Sequence, residues 1–215
     1  MKVLAISAGM GQPSATRMLV DRLAAATVKH AGAAGLELDE PIEVIELRDI
    51  ATELMSSEIS RVPSPRVAGA IESVEAADTL IVVSPIYNTQ PAALLSLFFE
   101  VADDAILRSK PVLLGATGGT ARHSLAIDRA LLPLFHYLHA LVVPTSIFAA
   151  TDDWGSPASL DKRTEDAAGS FVGLLAMRAG VPNTDELSGS DTDKASHGDD
   201  DFELENDFET MLKSI

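Results

Sequence analysis

Short apolar runs alternate with helical patterns along most of the 215 residues, and this alternation restricts the possible folds more than any other feature. The apolar runs are typical of strands, and the segments between them have apolar residues at helical spacing. Because strands that alternate with helices pair in parallel, we expect an α/β fold, a doubly wound sheet of five parallel strands with helices on both faces. The predicted strands are residues 2–6, 42–47, 78–84, 110–116 and 142–149.

The predicted helices follow from apolar stripes between these strands. The first helix has Leu19, Leu23 and Ala26 on one face. Residues 48–55 are predicted as a loop with a single helical turn, and residues 61–66 as a stiff basic connector, because two prolines restrict its backbone. Further helices are predicted around residues 67–74, 94–101, 125–138 and 159–179, the third of them interrupted near Pro133.

Composition excludes several classes of function. The formal net charge of −16 argues against non-specific nucleic-acid binding, which depends on lysine and arginine contacts with phosphate groups. The chain has no cysteine, which excludes disulfides and thiolate chemistry. No apolar stretch approaches the ~20 residues of a membrane span, and the sequence opens on a strand pattern rather than a signal region. We therefore expect a cytoplasmic protein that binds neither nucleic acid nor a membrane.

Acidic residues are concentrated at the end of the chain. Residues 183–215 hold 11 acidic and 2 basic side chains, and a composition of Asp, Glu, Ser, Gly and Thr cannot form a core. We predict a domain over residues 1–182 and a flexible acidic tail over residues 183–215. Apolar residues return in the tail at near-helical spacing, which fits either a short docking helix or a solvated tail: Phe202, Leu204, Phe208, Met211, Leu212 and Ile215.

A loop of glycines and hydroxyl side chains links the first strand to the first helix. Gly9 and Gly11 allow a ligand to approach the backbone closely, and the first amides of the helix point at the same place. This arrangement is typical of an anion site. Hydroxyl donors and one permanent positive charge are added by Ser7, Ser14, Thr16 and Arg17.

Two known phosphate-binding motifs do not match this loop. No Gly-Lys-Ser/Thr sequence closes it, so it is not a P-loop, and Ser14 stands where a dinucleotide fingerprint requires its third glycine. A terminal phosphate monoester remains as the ligand that suits the loop. The alternative is a plain N-cap turn, in which Ser14 or Thr16 caps the helix.

Two more loops follow predicted strands and contain residue types that often form binding sites. Residues 84–91 contain two prolines, an aromatic ring and amide side chains, and residues 117–120 have the sequence Thr-Gly-Gly-Thr. Parallel sheets bind their ligands at the carboxyl ends of the strands, beside the switch in strand order. The convergence of these loops with the first predicts a ligand that has both a phosphate group and an aromatic ring.

Three segments resemble the NADPH-dependent FMN reductases, the flavodoxin-like flavin reductases that supply reduced flavin to two-component monooxygenases. The segments are residues 7–16, residues 84–88 with the helix that follows, and residues 110–133. In the third, Thr-Gly-Gly-Thr is followed by a histidine three residues on and later by Leu-Leu-Pro, which is similar to the alkanesulfonate-linked flavin reductases. The resemblance spans roughly residues 1–179 and implies a flavodoxin-like fold with FMN as cofactor.

The resemblance implies a place for each part of FMN. The phosphate lies in the first loop, the second loop touches the isoalloxazine edge and the ribityl chain, and the third closes the other side of the ring. The implied cofactor-binding residues are Ser7, Gly9, Ser14, Thr16 and Arg17 in the first loop, Pro85, Ile86, Tyr87 and Asn88 in the second, and Thr117, Gly118, Gly119 and Thr120 in the third.

The implied activity is that of an NAD(P)H:FMN oxidoreductase. NADPH or NADH passes hydride from its C4 to the flavin N5, and the reduced flavin serves a monooxygenase. A flavin-retaining quinone or azo reductase and a non-enzymatic flavodoxin-like electron carrier are the alternatives. Family members commonly form dimers or tetramers, which implies a homo-oligomer. The candidates for binding the phosphates of the nicotinamide cofactor are Arg61, Arg66 and Arg122, which lie in or beside loops near the crevice.

The chain departs from the family pattern at two positions: the first loop lacks the arginine that often follows its leading serine, and Ser96 stands where relatives usually have lysine. No catalytic side chain is expected, because hydride transfer to flavin needs no side-chain base; His123 is expected to orient a loop or meet a phosphate. No metal is expected, since His136 and His139 have no third ligand at a suitable spacing. Trp154 either caps the site or packs between subunits.

Overall fold

The computed structural model describes residues 1–103 and 105–181. The strands are β1 (Val3–Ser7), β2 (Glu43–Glu46), β3 (Thr79–Tyr87), β4 (Gln90–Pro91), β5 (Pro111–Gly118), β6 (Leu141–Val142) and β7 (Ile147–Ala150). The α-helices are α1 (Ala15–Ala33), α2 (Ala51–Ser60), α3 (Pro65–Ala76), α4 (Ala93–Val101), α5 (Leu132–Tyr137) and α6 (Pro157–Ala179). The predicted acidic tail lies outside the described residues. No helix within the described ranges is both long enough and apolar enough to cross a bilayer.

The strands form one sheet with the parallel order β2–β1–β3–β5. The next position is shared by β6 and β7, which pair with opposite ends of β5, and the short β4 pairs antiparallel with β3. The strand order reverses at β1, which has β2 on one side and β3 on the other. The predicted doubly wound sheet, with five parallel strand positions, is confirmed.

Helices cover both faces of this sheet. Alternate residues of β1 reach different helical layers: Val3 packs with α1 and α6, whereas Leu4 packs with α2, α3 and α4. The stripe predicted for α1 is buried as expected at Leu19, Leu23 and Ala26. Since the central strands are buried on both sides, they hold the loops at their carboxyl ends on a rigid base.

The expectation for residues 48–55 is wrong. Instead of a loop with one turn, a 3₁₀ turn (Leu47–Ile50) leads directly into α2, a helix of 10 residues. Leu47, Ile50 and Leu54 are all buried, and they follow one another at helical spacing. Burial of these three side chains in the core therefore stabilises a helix, although the local sequence of residues 48–55 shows only a weak helical pattern.

Two more predicted elements are interrupted, the first of them near Pro133, as the sequence indicates. The helix expected over residues 125–138 begins with a π-helical turn (Ile127–Leu131) and continues as α5, with Pro133 in the first turn, where a missing N–H is tolerated. The fifth predicted strand is split into β6 and β7 around Pro144. Proline has no N–H to donate to the ladder, which explains the break.

Candidate functional site

A cavity of about 370 Å³ opens at the carboxyl edge of the sheet, beside the switch in strand order. The loops after β1, β3 and β5 all border it, and its volume is typical of a small-molecule site. Its lining consists of Gly9, Met10, Gly11, Pro13, Ser14, Ala15 and Thr16 from the first loop, Pro85, Ile86 and Tyr87 from the second, Thr117, Gly118 and Gly119 from the third, and Ala149, Thr151 and Trp154.

The first loop ends in the N-cap of α1. Ser14 has an extended backbone, with φ of −114°, and its Oγ accepts a hydrogen bond of 3.1 Å from the amide of Arg17. The structure therefore makes Ser14, not Thr16, the cap. Capping does not exclude a ligand, because the hydroxyl still has its own hydrogen to donate and Ser14 lines the cavity.

The backbone amides of this loop are left free. Those of residues 9–12 and 14–16 have no hydrogen-bond acceptor among the described residues. Ala15 and Thr16 belong to the first turn of α1, where a helix cannot satisfy its own amides. Free amides at the positive end of a helix dipole form a ready site for an anion.

Gly9 has the least room of the lining glycines. A Cβ at this position would lie 2.3 Å from Ser14 Oγ and 2.8 Å from Thr16 Cβ. Any larger residue would displace the two hydroxyl side chains that face the cavity. The absence of a side chain at Gly9 therefore lets the loop fold tightly onto the start of α1.

A hydrogen bond joins the first loop to the third. The hydroxyl oxygens of Thr16 and Thr117 are 2.9 Å apart, and both side chains are buried. One hydroxyl donates to the other, which leaves the second hydrogen available to a ligand. This bond fixes the spacing of the two loops across the intervening strand β3.

The second loop is a tight hairpin between β3 and β4. Asn88 and Thr89 form its turn with φ of 50° and 67°, the left-handed region that a two-residue turn of this type requires. Ser84 Oγ accepts a hydrogen bond of 3.0 Å from the amide of Ala92, which ties the start of α4 to the end of β3. The hairpin holds Tyr87 at the rim of the cavity with half of its side chain exposed.

The two glycines of the third loop have different surroundings. A Cβ at Gly118 would lie 2.8 Å from Cζ of Phe148, so the close packing of β5 against β7 requires glycine there. At Gly119 nothing lies within 4 Å of the corresponding position. Gly119 therefore keeps this part of the cavity open.

A fourth loop, after β7, also contributes to the site, and of its residues only Trp154 was a candidate from the sequence. Thr151 and Trp154 line the cavity, which places Trp154 at the site. The guanidinium carbon of Arg22 lies 5.2 Å from the centre of the Trp154 ring, a cation–π contact. Asp153 accepts a backbone hydrogen bond of 2.7 Å within the loop. The sequence feature that could have indicated this loop is its position after the fifth predicted strand, at the same edge of the sheet as the other three loops.

Four residues predicted for the site lie outside the lining. Ser7 is fully buried at the end of β1, and its Oγ has no partner among the described residues. Asn88 lies in the hairpin turn, and Thr120 caps the 3₁₀ turn Ala121–His123 through a hydrogen bond of 3.4 Å from the amide of Arg122. The fourth is Arg17.

The charge of Arg17 is directed away from the cavity. Its Nε donates to Asp21 at 2.7 Å and its Nη1 to Glu46 at 3.0 Å. The hydrogen bond with Asp21 is the main reason why the pKa of Arg17 is raised above its ordinary value. None of the residues that line the cavity has a charged side chain. An anion in this cavity would therefore meet backbone amides and hydroxyl groups.

The histidines singled out in the sequence lie outside the lining. His123 belongs to the 3₁₀ turn after the third loop, His136 to α5, and His139 follows that helix with φ of 59°. In the part of the chain that the structure describes, no three His, Asp or Glu side chains are grouped closely enough to hold a metal ion.

The sequence matches a known enzyme family. Residues 1–155 match the NADPH-dependent FMN reductases. An FMN reductase (NADPH) from Pseudomonas aeruginosa is 36% identical over 153 residues, which cover 71% of this chain and 78% of the relative. An NADH-dependent FMN reductase, SfnF, from Pseudomonas fluorescens is 37% identical over 157 residues, which cover 72% of this chain and 79% of the relative.

Solved structures are similar as well. An oxidoreductase from Corynebacterium diphtheriae, 37% identical, aligns with a TM-score of 0.77 over 82% of this chain and 98% of that chain. A flavodoxin, WrbA-like protein from Agrobacterium tumefaciens, 13% identical, aligns with a TM-score of 0.56 over 85% of this chain and 100% of that chain, which shows the fold alone. The predicted flavodoxin-like fold, family and enzyme class are confirmed. The chain therefore belongs to the NADPH-dependent FMN reductase family and is an NAD(P)H:FMN oxidoreductase.

Proposed function

We propose that this enzyme uses NADPH or NADH to reduce FMN bound in the cavity, with the FMN phosphate at residues 9–16. The observation that carries the proposal is the set of free amides at the start of α1, beside the buried hydroxyls of Ser14 and Thr16. A phosphate monoester has three oxygens that need donors on several sides. The amides and hydroxyls supply them without a charged lining residue.

The other residues of the cavity fit the remainder of FMN. Pro85, Ile86 and Trp154 provide apolar surface, which suits a flat aromatic ring. The side chain of Tyr87 stands at the rim, where it adds a further aromatic surface. The donor set at one end and the apolar surface in the rest match a ligand that is charged at one end and aromatic at the other.

When bound, FMN would supply the redox chemistry, which is hydride transfer from C4 of the nicotinamide to the flavin N5. The residues of this chain bind the two cofactors and orient their rings. Gly119 leaves open space beside the third loop, which supports access for a second planar ring. Because hydride transfer requires no side-chain base, we assign no catalytic residue, and His123 is not part of the lining.

The three arginines proposed to bind the nicotinamide phosphates differ in their ion pairs. Arg61 pairs with Glu58 at 2.8 Å, and Arg66 pairs with Glu53 at 2.6 Å. Arg122 is exposed, follows the third loop and has no ion-pair partner among the described residues. We therefore favour Arg122. Its replacement in Arg122→Ala is expected to raise the KM for NADPH about tenfold, as for the loss of a charged hydrogen bond, and unchanged KM values for NADPH and NADH would remove this role.

We further propose that the reduced flavin leaves to serve a monooxygenase. The uncharged lining supports release, because a phosphate held without an ion pair is held less strongly than one paired with arginine. A flavin-retaining quinone or azo reductase is the alternative outcome. The dissociation constant of FMN distinguishes the two: we expect a micromolar value, and a nanomolar value would favour the retained cofactor.

The experiment that tests the activity is steady-state oxidation of NADPH and of NADH with and without added FMN. We expect oxidation that rises with FMN and then saturates. Mixing the protein, FMN and each nicotinamide without air is expected to bleach the yellow absorbance rapidly. A protein that binds FMN but does not bleach it with either nicotinamide would instead be an electron carrier.

We also propose a cytoplasmic homo-oligomer, a dimer or a tetramer. The exposed apolar residues of α2 and the turn after it support self-association: Met55, Ile59 and Val62 expose 52%, 78% and 67% of their surface. Light scattering is expected to give two or four times the mass of one chain, whereas the mass of a single chain would contradict the proposal. Cell fractionation tests the location.

A further inference from the structure

We propose that Arg48, held by Glu46, is a positioning residue for the FMN phosphate, because it fixes the backbone of the first loop. The inference rests on the proposed FMN site at residues 9–16. Nη1 of Arg48 donates a hydrogen bond to the carbonyl oxygen of Gly11, in the middle of that loop. Arg48 is not among the site residues predicted from the sequence.

Arg48 reaches the loop from the neighbouring strand. It lies in the 3₁₀ turn Leu47–Ile50 directly after β2, and its side chain is only 18% exposed. Nη2 of Arg48 is 3.4 Å from Oε1 of Glu46, whose side chain is only 9% exposed. A partly buried guanidinium that is held by a partly buried carboxylate has few alternative positions. The contact with Gly11 is therefore a fixed point for the loop.

A fixed carbonyl orients the neighbouring amide. The peptide group is planar, so holding the carbonyl oxygen of Gly11 also sets the direction of the N–H of Gln12. The loop otherwise has much conformational freedom, because Gly9 and Gly11 accept a wide range of backbone angles. A carbonyl oxygen turned toward the ligand would repel a phosphate. The bond from Arg48 prevents this and keeps the free amide of Gln12 in a fixed direction.

Arg17 provides a matched comparison for Arg48. Both guanidinium groups contact the same oxygen of Glu46, Arg17 at 3.0 Å and Arg48 at 3.4 Å. Both have the same charge, and neither lines the cavity. Of the two guanidinium groups, that of Arg48 is bonded to the first loop, whereas that of Arg17 donates to Asp21 and Glu46. A difference between the two variants therefore isolates the loop contact from the loss of one positive charge.

The test compares the dissociation constants of FMN and riboflavin, which lacks the phosphate, for the wild type, Arg48→Met and Arg17→Met. We expect Arg48→Met to raise the FMN dissociation constant about tenfold or more, in line with a lost charged hydrogen bond, and to leave that of riboflavin within about threefold. Arg17→Met is expected to stay within about threefold for both ligands. Equal losses for FMN and riboflavin in Arg48→Met, or equal losses of FMN affinity in the two variants, would overturn the proposal.

Glu46→Gln is the second test, and it decides the matter if Arg48→Met does not fold. Removing a negative charge near the phosphate would strengthen FMN binding through the electric field alone. Release of Arg48 predicts the opposite, a rise of the FMN dissociation constant of about threefold or more, with riboflavin unchanged. Unchanged or tighter FMN binding would overturn the proposal. A wild-type protein that binds neither ligand would instead overturn the FMN site itself, so the two failures are distinct.

Discussion

At the residue scale, the tightest packing in the site surrounds Gly9, and it gives a direct prediction. In Gly9→Ala the new methyl group would lie 2.3 Å from Ser14 Oγ and 2.8 Å from Thr16 Cβ. We expect a loss of about 1–3 kcal/mol in the free energy of unfolding, which is usual for overpacking, together with weaker FMN binding. Urea denaturation measures the first effect and an FMN titration the second.

Gly119→Ala is the matched control for this prediction, because it adds the same methyl group where nothing lies within 4 Å. Its free energy of unfolding is expected to stay within about 0.5 kcal/mol of the wild type, as for substitutions that meet no neighbour. If Gly9→Ala had the same free energy of unfolding as Gly119→Ala, the close packing described around Gly9 would be contradicted.

Some features of the site are predictable from single residue types, and others depend on pairings between distant residues. Glycine and hydroxyl residues identified the first loop, because these residue types have local backbone and hydrogen-bonding properties. The orientation of Arg17 was not predictable, since one of its partners, Glu46, comes from a different strand. The contact of Arg48 with Gly11 is equally distant in sequence. Such pairings depend on strand order, which residue types alone do not reveal.

At the element scale, Lys110 stabilises the end of α3. Its ammonium group donates to the carbonyl oxygens of Val74, Glu75 and Ala77 at 2.9, 2.6 and 2.6 Å. Desolvation by burial lowers the pKa of Lys110. We expect Lys110→Met to lower the free energy of unfolding by about 1–3 kcal/mol, because the last carbonyls of a helix lose their donor. Urea denaturation measures this loss.

The control for Lys110 is the exposed Lys162 on α6, and Lys162→Met is expected to change the free energy of unfolding by less than about 0.5 kcal/mol. Equal effects in the two variants would show that the bonds from Lys110 to the end of α3 do not contribute to stability.

Helices α1 and α6 are linked by a carboxylate whose contribution depends on pH. Glu165 accepts a hydrogen bond of 2.9 Å from Lys29 and lies 2.8 Å from Nε2 of His30. The hydrogen bond from Lys29 is the main cause of the lowered pKa of Glu165. A carboxylate with a lowered pKa in the folded state stabilises above its ordinary pKa, and the effect disappears as the pH falls through the lowered value.

The corresponding prediction concerns Glu165→Gln. Its Tm is expected to be lower than that of the wild type at pH 7. The difference is expected to shrink as the pH falls below the ordinary pKa of a glutamate and to be lost once the pH is below the lowered pKa of Glu165. Thermal denaturation at a series of pH values measures it. A difference that stays constant over this range would show that the ionised form of Glu165 does not link the two helices.

The elements themselves were predictable to an unequal degree. The strands β1, β3 and β5 were found because residues buried on both faces form short apolar runs. α2 was missed because its buried stripe begins in the preceding 3₁₀ turn, so residues 48–55 show only part of it. The division of the fifth strand around Pro144 depends on how β5 pairs with two segments, which periodicity does not show.

At the scale of the whole molecule, the site results from strand order. Loops that are far apart in sequence meet because β1, β3 and β5 are neighbours and parallel. The sequence predicted this meeting for three loops, and the structure adds the loop after β7, with Trp154. The formal net charge of −16 makes the local arrangement important, because a phosphate would otherwise be repelled by the whole protein. Free amides and hydroxyl groups at one edge of the sheet provide the local compensation.

The central claim is that this edge of the sheet holds FMN by its phosphate. The most direct test is the ratio of the dissociation constants of riboflavin and FMN for the full chain in one buffer, since the two ligands differ by the phosphate alone. We predict that FMN binds at least about tenfold more tightly, as expected for even one hydrogen bond to a charged group. Equal affinities, or no binding of either flavin, would contradict the account.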